Sequence, residues 1–226
     1  MVKLINYTPL WVCSDGIRTC WNSRSNSDTP ELYNSELCEN IVIGEKDKAL
    51  IDRVGNKNKH SSTLEHLYYN FHITDISRAC LQEISRHRIA SLSVKSTRYT
   101  LKELKNEDQF NSFPEEKERA SKYLIWTGNH NVDITTFFAL EELRILLKSG
   151  ISNDIAKYAL PEAYKTELAW SINARSLQNF LFLRTDKAAL WEIRNLAKEV
   201  YDALPEEHKY LFENFVKVKN EDSKTL

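Results

Sequence analysis

Hydrophobic and polar positions recur along this chain with two periods, one typical of strands and one of helices. Val2 to Tyr7 alternates loosely between the two classes, which predicts a strand. Leu67 to Ile73 is rich in aromatic side chains and predicts a second strand. Ser171 to Arg184 has the pattern of a buried strand that passes into a helix. The strands are therefore spread along the whole chain.

Helical spacing is clearest over Asp75 to Arg86, where apolar residues fall on one face and Asp75 is placed to cap the first turn. The other predicted helices span Asp15 to Trp21, Asp47 to Val54, Phe137 to Leu147 (stopped by Gly150) and Lys187 to Leu204. The sequence contains no internal repeat and no linker-like segment. These features predict a single α+β domain over residues 1–226.

Charge and composition exclude several classes of protein. The 31 basic and 32 acidic side chains nearly cancel, so a nucleic acid is not an expected partner and any anion site must be local. No apolar run approaches the roughly 20 residues that span a bilayer. We therefore expect a cytoplasmic protein with no membrane partner. Its cysteines lack zinc-site spacing, so we expect reduced thiols and no metal: Cys13, Cys20, Cys38 and Cys80.

The segment from Arg86 to Tyr99 has the composition of a phosphate-binding site. It holds four cationic side chains and one histidine among short hydroxyl residues. Arginine offers a planar fork to phosphate oxygens, and serine and threonine add hydroxyl donors. A solvated basic strand after a helix would have a similar composition. A nucleic-acid or nucleotide-binding module and a metal-dependent nucleotide hydrolase are the alternative functions.

A longer pattern separates these alternatives. Arg86-His87-Arg88 is followed after seven residues by Ser96, and Arg98-Tyr99 stands two positions later. This pattern resembles the signature of the flavin-dependent thymidylate synthases. The blocks His60 to His66 and Asn173 to Arg184 resemble two further segments of that family. All three blocks follow one another along the chain in the order found in the family. The stretch from Thr100 to Asp154 matches only loosely.

The resemblance implies an α+β fold with a mixed sheet flanked by helices, assembled as a homotetramer whose active sites lie at subunit interfaces. It also implies the reductive methylation of dUMP to dTMP. FAD would be the cofactor, 5,10-methylenetetrahydrofolate the carbon donor, and NADPH the source of electrons through the flavin.

The same resemblance implies the site residues. Arg184 would be catalytic, because it would face the uracil and stabilise negative charge on the pyrimidine. FAD would be bound by His60 and Ser62 from another subunit, and by Arg86, His87, Arg88, Asn173, Ala174, Arg175 and Asn179. The dUMP site would comprise Glu83, Arg86, Ser96, Thr97, Arg98, Lys157 and Arg184. Lys157 stands where many members have arginine, so it keeps the charge but loses the bidentate fork.

Overall fold

The computed structural model describes residues 1–29 and 41–217. In this part of the chain, a four-stranded sheet is accompanied by helices, which confirms the α+β class. The strands are β1 (Val2–Tyr7), β2 (Tyr68–Ser77), β3 (Ala90–Val94) and β4 (Lys165–Asn173). Their order in the sheet is β1-β2-β4-β3.

Backbone hydrogen bonds show how the strands run. The N–H of Thr8 donates to the carbonyl of Tyr68, and that of Thr74 to the carbonyl of Met1. Residue numbers increase along β1 while those of its partners in β2 decrease, so the two strands are antiparallel. The sheet as a whole is antiparallel, whereas the resemblance implied a mixed sheet.

The helices have the following bounds. They are α1 (Leu10–Cys20), α2 (Glu45–Ile51), α3 (Arg78–Ser85), α4 (Thr97–Thr100), α5 (Lys102–Lys105), α6 (Lys117–Ala120), α7 (His130–Lys148), α8 (Asn153–Ala156), α9 (Ala174–Arg184) and α10 (Trp191–Asp202). A π-helical segment spans Asp52–Lys57, and a 3₁₀ helix spans Ser61–His66. Among the described residues, no helix has both the length and the apolar composition needed to cross a bilayer.

The described residues form two compact units. Unit 1 comprises Met1, Ile73–Arg86 and Leu92–Ala169, and unit 2 comprises Val2–His72, His87–Ser91 and the chain from Trp170 onward. The single domain over residues 1–226 stays a prediction.

Unit 1 has its own hydrophobic core around the longest helix, α7. Phe137, Leu140, Leu143 and Leu147 recur at helical spacing and are buried. Tyr123, Leu124 and Tyr164 belong to the same cluster. Gly150, with φ +92°, follows the end of this helix as the sequence predicted.

In unit 2, the last residues of β4 lead into α9 beside an aromatic cluster. The ring centroid of Trp170 lies 5.9 Å from that of Phe71 and 5.0 Å from that of Phe180, and all three side chains are buried. This packing confirms the predicted transition from buried strand to helix between Ser171 and Arg184. It helps to orient α9, on which several predicted site residues lie.

The predicted start of the helix at Asp75 was wrong. Strand β2 continues to Ser77, whose hydroxyl accepts the N–H of Cys80 and caps α3. Asp75 instead adopts a left-handed backbone conformation with φ 55°. Its carboxylate accepts a hydrogen bond from Lys165 Nζ at 3.0 Å. A residue engaged in this way is not free to cap a helix.

Other predicted boundaries also changed, among them those of α1 and α2. Helix α1 begins at Leu10, five residues before the predicted start at Asp15, with Pro9 as its N-cap. Helix α2 gives way at Asp52 to the π-helical segment, which continues past the predicted stop at Gly55. In both cases the chain stays helical where local polar residues favour an end.

A buried histidine in unit 2 makes the stability of the protein depend on pH. His208 is 1% exposed, and its Nδ1 lies 2.7 Å from the hydroxyl of Tyr69. Burial lowers the pKa of His208 to about 4, and the charge of Glu207 offsets this only in part. Between pH 4 and 6.5 the unfolded chain therefore binds more protons at this residue than the folded protein does.

We expect the free energy of unfolding to fall by roughly 3 kcal/mol through this group as the pH is lowered from 6.5 to 4. Urea denaturation at pH 7 and pH 4.5 would measure the loss in the wild type and in His208→Gln, which cannot be protonated. The variant should lose less stability on acidification than the wild type. An equal loss in both proteins would contradict the assignment.

Candidate active site

The Arg86 to Tyr99 segment leaves the end of α3, forms β3 and then enters the single turn α4. The extended stretch expected from its composition is confirmed over Ala90–Val94. The side chains of Arg86, Arg88, Ser96 and Arg98 are exposed, whereas those of His87 and Thr97 are buried. Most of the predicted anion ligands are thus accessible from solvent.

Unit 1 contains three predicted dUMP ligands: Ser96, Arg98 and Lys157. Arg98 forms a side-on ion pair with Asp154, with Nε 2.5 Å from Oδ1. The charge of Lys157, on the turn after α8, contributes to lowering the pKa of Asp154, although the hydrogen bond from Arg98 is the larger cause. The carbonyl of Ser96 accepts the N–H and hydroxyl donors of α4, including Thr100 Oγ1 at 3.0 Å.

Glu83 and Arg86 lie one turn apart at the end of α3. Their side chains approach to 3.4 Å between Nη1 and Oε2, and the arginine is largely exposed. An exposed pair of this kind adds little stability. The exposed Arg86 can therefore reorient toward a ligand at small cost.

In unit 2, the structure joins two motif blocks that are 97 residues apart. Arg184, the last residue of α9, donates from Nε to Nε2 of His87 at 2.9 Å. The imidazole accepts this bond at Nε2, a ring nitrogen that carries no proton when it acts as an acceptor. Its ring packs edge-on against Phe180, with 5.0 Å between centroids. A buried imidazole thus helps to orient the guanidinium of Arg184.

The start of α9 uses two predicted FAD ligands to build the fold. Asn173 caps the helix, since its Oδ1 accepts the N–H of Ser176 at 2.9 Å. Ala174 is fully buried, and its N–H donates to the carbonyl of Leu67. Arg175 points into solvent and pairs with Glu65 at 2.6 Å.

A cavity of about 300 Å³ lies beside the exposed face of α9 in unit 2. Arg175, Gln178 and Asn179 supply hydrogen-bonding groups at one side. Lys59 and Ser61 add a cation and a hydroxyl, and Phe182 and Phe215 add aromatic surface. Gln178 is held by Asn56 Oδ1 and by the carbonyl of Leu211 at 2.9 and 2.8 Å. The cavity can bind an anion together with an apolar ring.

His60 and Ser62, predicted to serve another subunit, are both exposed. The backbone of His60 is nevertheless fixed, because its N–H donates to Val54 and its carbonyl accepts from Thr63. The imidazole therefore projects from a rigid turn into solvent.

Residues 3–208 match the family model of the thymidylate synthase complementing proteins. The chain belongs to this family. It is 59% identical over 211 residues to the flavin-dependent thymidylate synthase of Wolinella succinogenes, covering 93% of this chain and 96% of that protein. It is 58% identical over 213 residues to the enzyme of the same name from Campylobacter jejuni strain RM1221, covering 94% and 96%.

A solved structure is also similar to this chain in fold and sequence. The crystal structure of thymidylate synthase X (ThyX) from Helicobacter pylori with FAD and dUMP has a TM-score of 0.87 and 54% identity. It covers 96% of this chain and 100% of that one. The likeness confirms the fold expected for a thymidylate synthase complementing protein.

Several residues that support the predicted ligands escaped the sequence analysis. Asp154 and Asn153 contact Arg98, and Glu65 contacts Arg175. Asp154 lies at the end of the stretch that matches the family only loosely, and no local pattern marks it. Among the described residues, no group of three or more His, Cys, Asp or Glu side chains is arranged to hold a metal ion.

Proposed function

We propose that this protein catalyses the reductive methylation of dUMP to dTMP, with 5,10-methylenetetrahydrofolate as carbon donor and NADPH as reductant through FAD. Membership of the thymidylate synthase complementing proteins supports the reaction. The single structural observation that carries it is the contact between His87 and Arg184, because it joins the two most specific motif blocks in one site.

Arg184 has the geometry of a preorganised electrostatic group. Its guanidinium is fixed by α9 on one side and by the buried imidazole of His87 on the other. Facing a bound uracil, it would stabilise the negative charge that develops as N3 ionises, and this raises the nucleophilicity of C5. When bound, reduced FAD supplies the hydride that completes the methyl group.

The phosphate of dUMP is assigned to the cluster in unit 1. Arg98 and Lys157 provide the charge, and the exposed Ser96 provides a hydroxyl donor. Glu83 and Arg86 would bind the nucleoside part, since both lie at the accessible end of α3. Thr97 is buried, so its contribution would be through the N–H at the start of α4.

The residues of unit 2 fit a flavin dinucleotide by their chemistry. The cavity beside α9 combines Arg175 and Asn179, which suit phosphate and ribose groups, with aromatic surface from Phe182. His87 and Arg88 would line the same cofactor from the motif that precedes β3. Asn173 and Ala174 would act by fixing the start of α9, in keeping with the contacts their polar groups make.

His60 and Ser62 are proposed to reach the FAD of a neighbouring subunit. They are exposed on a rigid turn, which suits a contact outside their own chain. A homotetramer with shared active sites would account for this arrangement. We place the enzyme in the cytoplasm, where its folate and nucleotide substrates would be available.

No thiol is required to attack the pyrimidine in this scheme. Burial raises the pKa of the Cys13 thiol to about 12, so this residue is a poor nucleophile at neutral pH. Cys80 is buried on the helix α3, and Cys20 ends α1. Cys38 lies outside the described residues.

The first test is a spectroscopic titration with FAD, followed by an assay of NADPH oxidation. The native oligomer should bind FAD and turn yellow, and it should oxidise NADPH faster when dUMP is present. The dependence on dUMP is expected because dUMP is the acceptor substrate of the proposed reaction. A protein that neither binds FAD nor responds to dUMP would contradict the proposal.

A further inference from the structure

The guanidinium of Arg98 is held along one edge. Nε donates to Oδ1 of Asp154 at 2.5 Å, and Nη2 donates to Oδ2 of the same carboxylate at 3.3 Å. This side-on geometry uses two of the five N–H groups that an arginine carries. Asp154 therefore fixes the plane of the guanidinium as well as its distance.

The backbone of Arg98 is held by the same short helix. Asn153, next to Asp154 on α8, donates from Nδ2 to the carbonyl of Arg98 at 2.8 Å. The guanidinium carbon also lies 5.7 Å from the centre of the Tyr99 ring. Neighbouring residues on α8 thus secure both the main chain and the side chain of one arginine, which a chance surface ion pair would not require.

Within residues 1–29 and 41–217, the opposite edge of the guanidinium makes no hydrogen bond, since Nη1 donates to no acceptor there. Nη1 and the remaining N–H of Nη2 form a fork that matches two oxygens of a phosphate. Arg98 is about half exposed, so this fork is accessible.

Asp154 also interacts electrostatically with Lys157, the second cation of the cluster. Lys157 follows it by three residues, and its charge acts on the carboxylate of Asp154. A carboxylate near two cations reduces their mutual repulsion and allows both to stay close together. The three residues keep a net positive charge, which still favours an anion.

We propose that Asp154 is a positioning residue, which holds one edge of Arg98 so that the other edge is presented to the phosphate of dUMP. This inference rests on the proposed function. Asp154 makes no contact with the substrate in this account. Because Asp154 already orders the arginine side chain, less side-chain conformational entropy is lost when dUMP binds.

The test is steady-state kinetics with dUMP for Asp154→Ala, Asp154→Glu and Arg98→Ala. Asp154→Ala should raise the KM for dUMP roughly 3- to 10-fold, the cost of ordering one long side chain on binding, with kcat little changed. Asp154→Glu keeps the carboxylate and should restore most of the affinity. Arg98→Ala should raise the KM at least about tenfold, because a charged hydrogen-bond donor is lost.

The double variant Arg98→Ala/Asp154→Ala shows whether Asp154 acts through Arg98. Its KM should equal that of Arg98→Ala alone. Additive effects of the two replacements would overturn the inference, because Asp154 would then act independently of Arg98. An unchanged KM in Asp154→Ala would show that the carboxylate has no role in binding dUMP, and a lower KM would show that it competes with phosphate; either result would also overturn the inference. Glu206→Ala, which removes another exposed carboxylate paired with a lysine, is the matched control and should behave as the wild type.

The wild type separates this inference from the proposed function. If the wild type fails to turn over dUMP, the proposed function itself fails. If the wild type and Arg98→Ala behave as expected while Asp154→Ala does not, only the role of Asp154 is wrong.

Discussion

Replacing Arg184 with Ala should lower the rate of dTMP formation by roughly 10²–10³-fold, the usual effect of removing one preorganised electrostatic donor. The loss should appear in methylation and leave FAD bound, because the guanidinium is assigned to the pyrimidine. Its orientation depends on the 2.9 Å contact with His87. Rapid-quench measurement of dTMP, together with an FAD titration, would check both parts.

Two further variants make this result specific. Arg184→Lys keeps the positive charge but lacks the Nε–H group that contacts His87, so its rate should lie between those of the wild type and Arg184→Ala. Arg53→Ala removes an exposed arginine of the same unit and should leave the rate unchanged. Release of FAD from Arg184→Ala with unchanged dUMP affinity would show that the guanidinium serves the cofactor instead.

Replacing Asp47 with Ala should destabilise the protein by about 3–5 kcal/mol, because it leaves a buried charge without a partner. Asp47 is 1% exposed and accepts hydrogen bonds from Arg18 Nε at 2.6 Å, from the Ser27 hydroxyl at 2.5 Å and from the Thr29 hydroxyl at 2.7 Å. Arg18 is only 7% exposed, so little solvent can compensate its charge once the carboxylate is removed. Urea denaturation would measure the change.

The control is Asp15→Ala, which breaks an exposed pair between the same residue types, Asp15 and Arg24. It should cost less than about 1 kcal/mol. The joint replacement Arg18→Met/Asp47→Leu removes both buried charges and should be more stable than Asp47→Ala alone. Equal costs for Asp47→Ala and Asp15→Ala would mean that the buried network does not contribute as described.

The elements that the sequence predicted best are those whose burial follows a local period. Strand β1 has the predicted bounds, and the passage from β4 into α9 was expected because Trp170, Leu177 and Phe180 face one core. The predicted start of α3 was wrong because the carboxylate of Asp75 accepts a hydrogen bond from Lys165, which lies 90 residues away. A helix cap can be predicted locally only when no distant group competes for it.

The same limit applies to the site. The motif residues could be found because they are consecutive or closely spaced in the sequence. Their supporting carboxylates could not, since Asp154 is 56 residues from Arg98 and Glu65 is 110 residues from Arg175. The role of Arg18 was likewise hidden, because its partner Asp47 lies 29 residues further along the chain. Tertiary contacts of this kind leave no local signal.

The most direct test of the central claim is to identify both products of one reaction. The FAD-loaded protein would be incubated with dUMP, 5,10-methylenetetrahydrofolate and NADPH, and the quenched mixture analysed by mass spectrometry. The account predicts equal amounts of dTMP and tetrahydrofolate, formed only when FAD is present, because the flavin and not the folate supplies the hydride. Formation of dihydrofolate without any need for FAD, or the absence of dTMP, would contradict it.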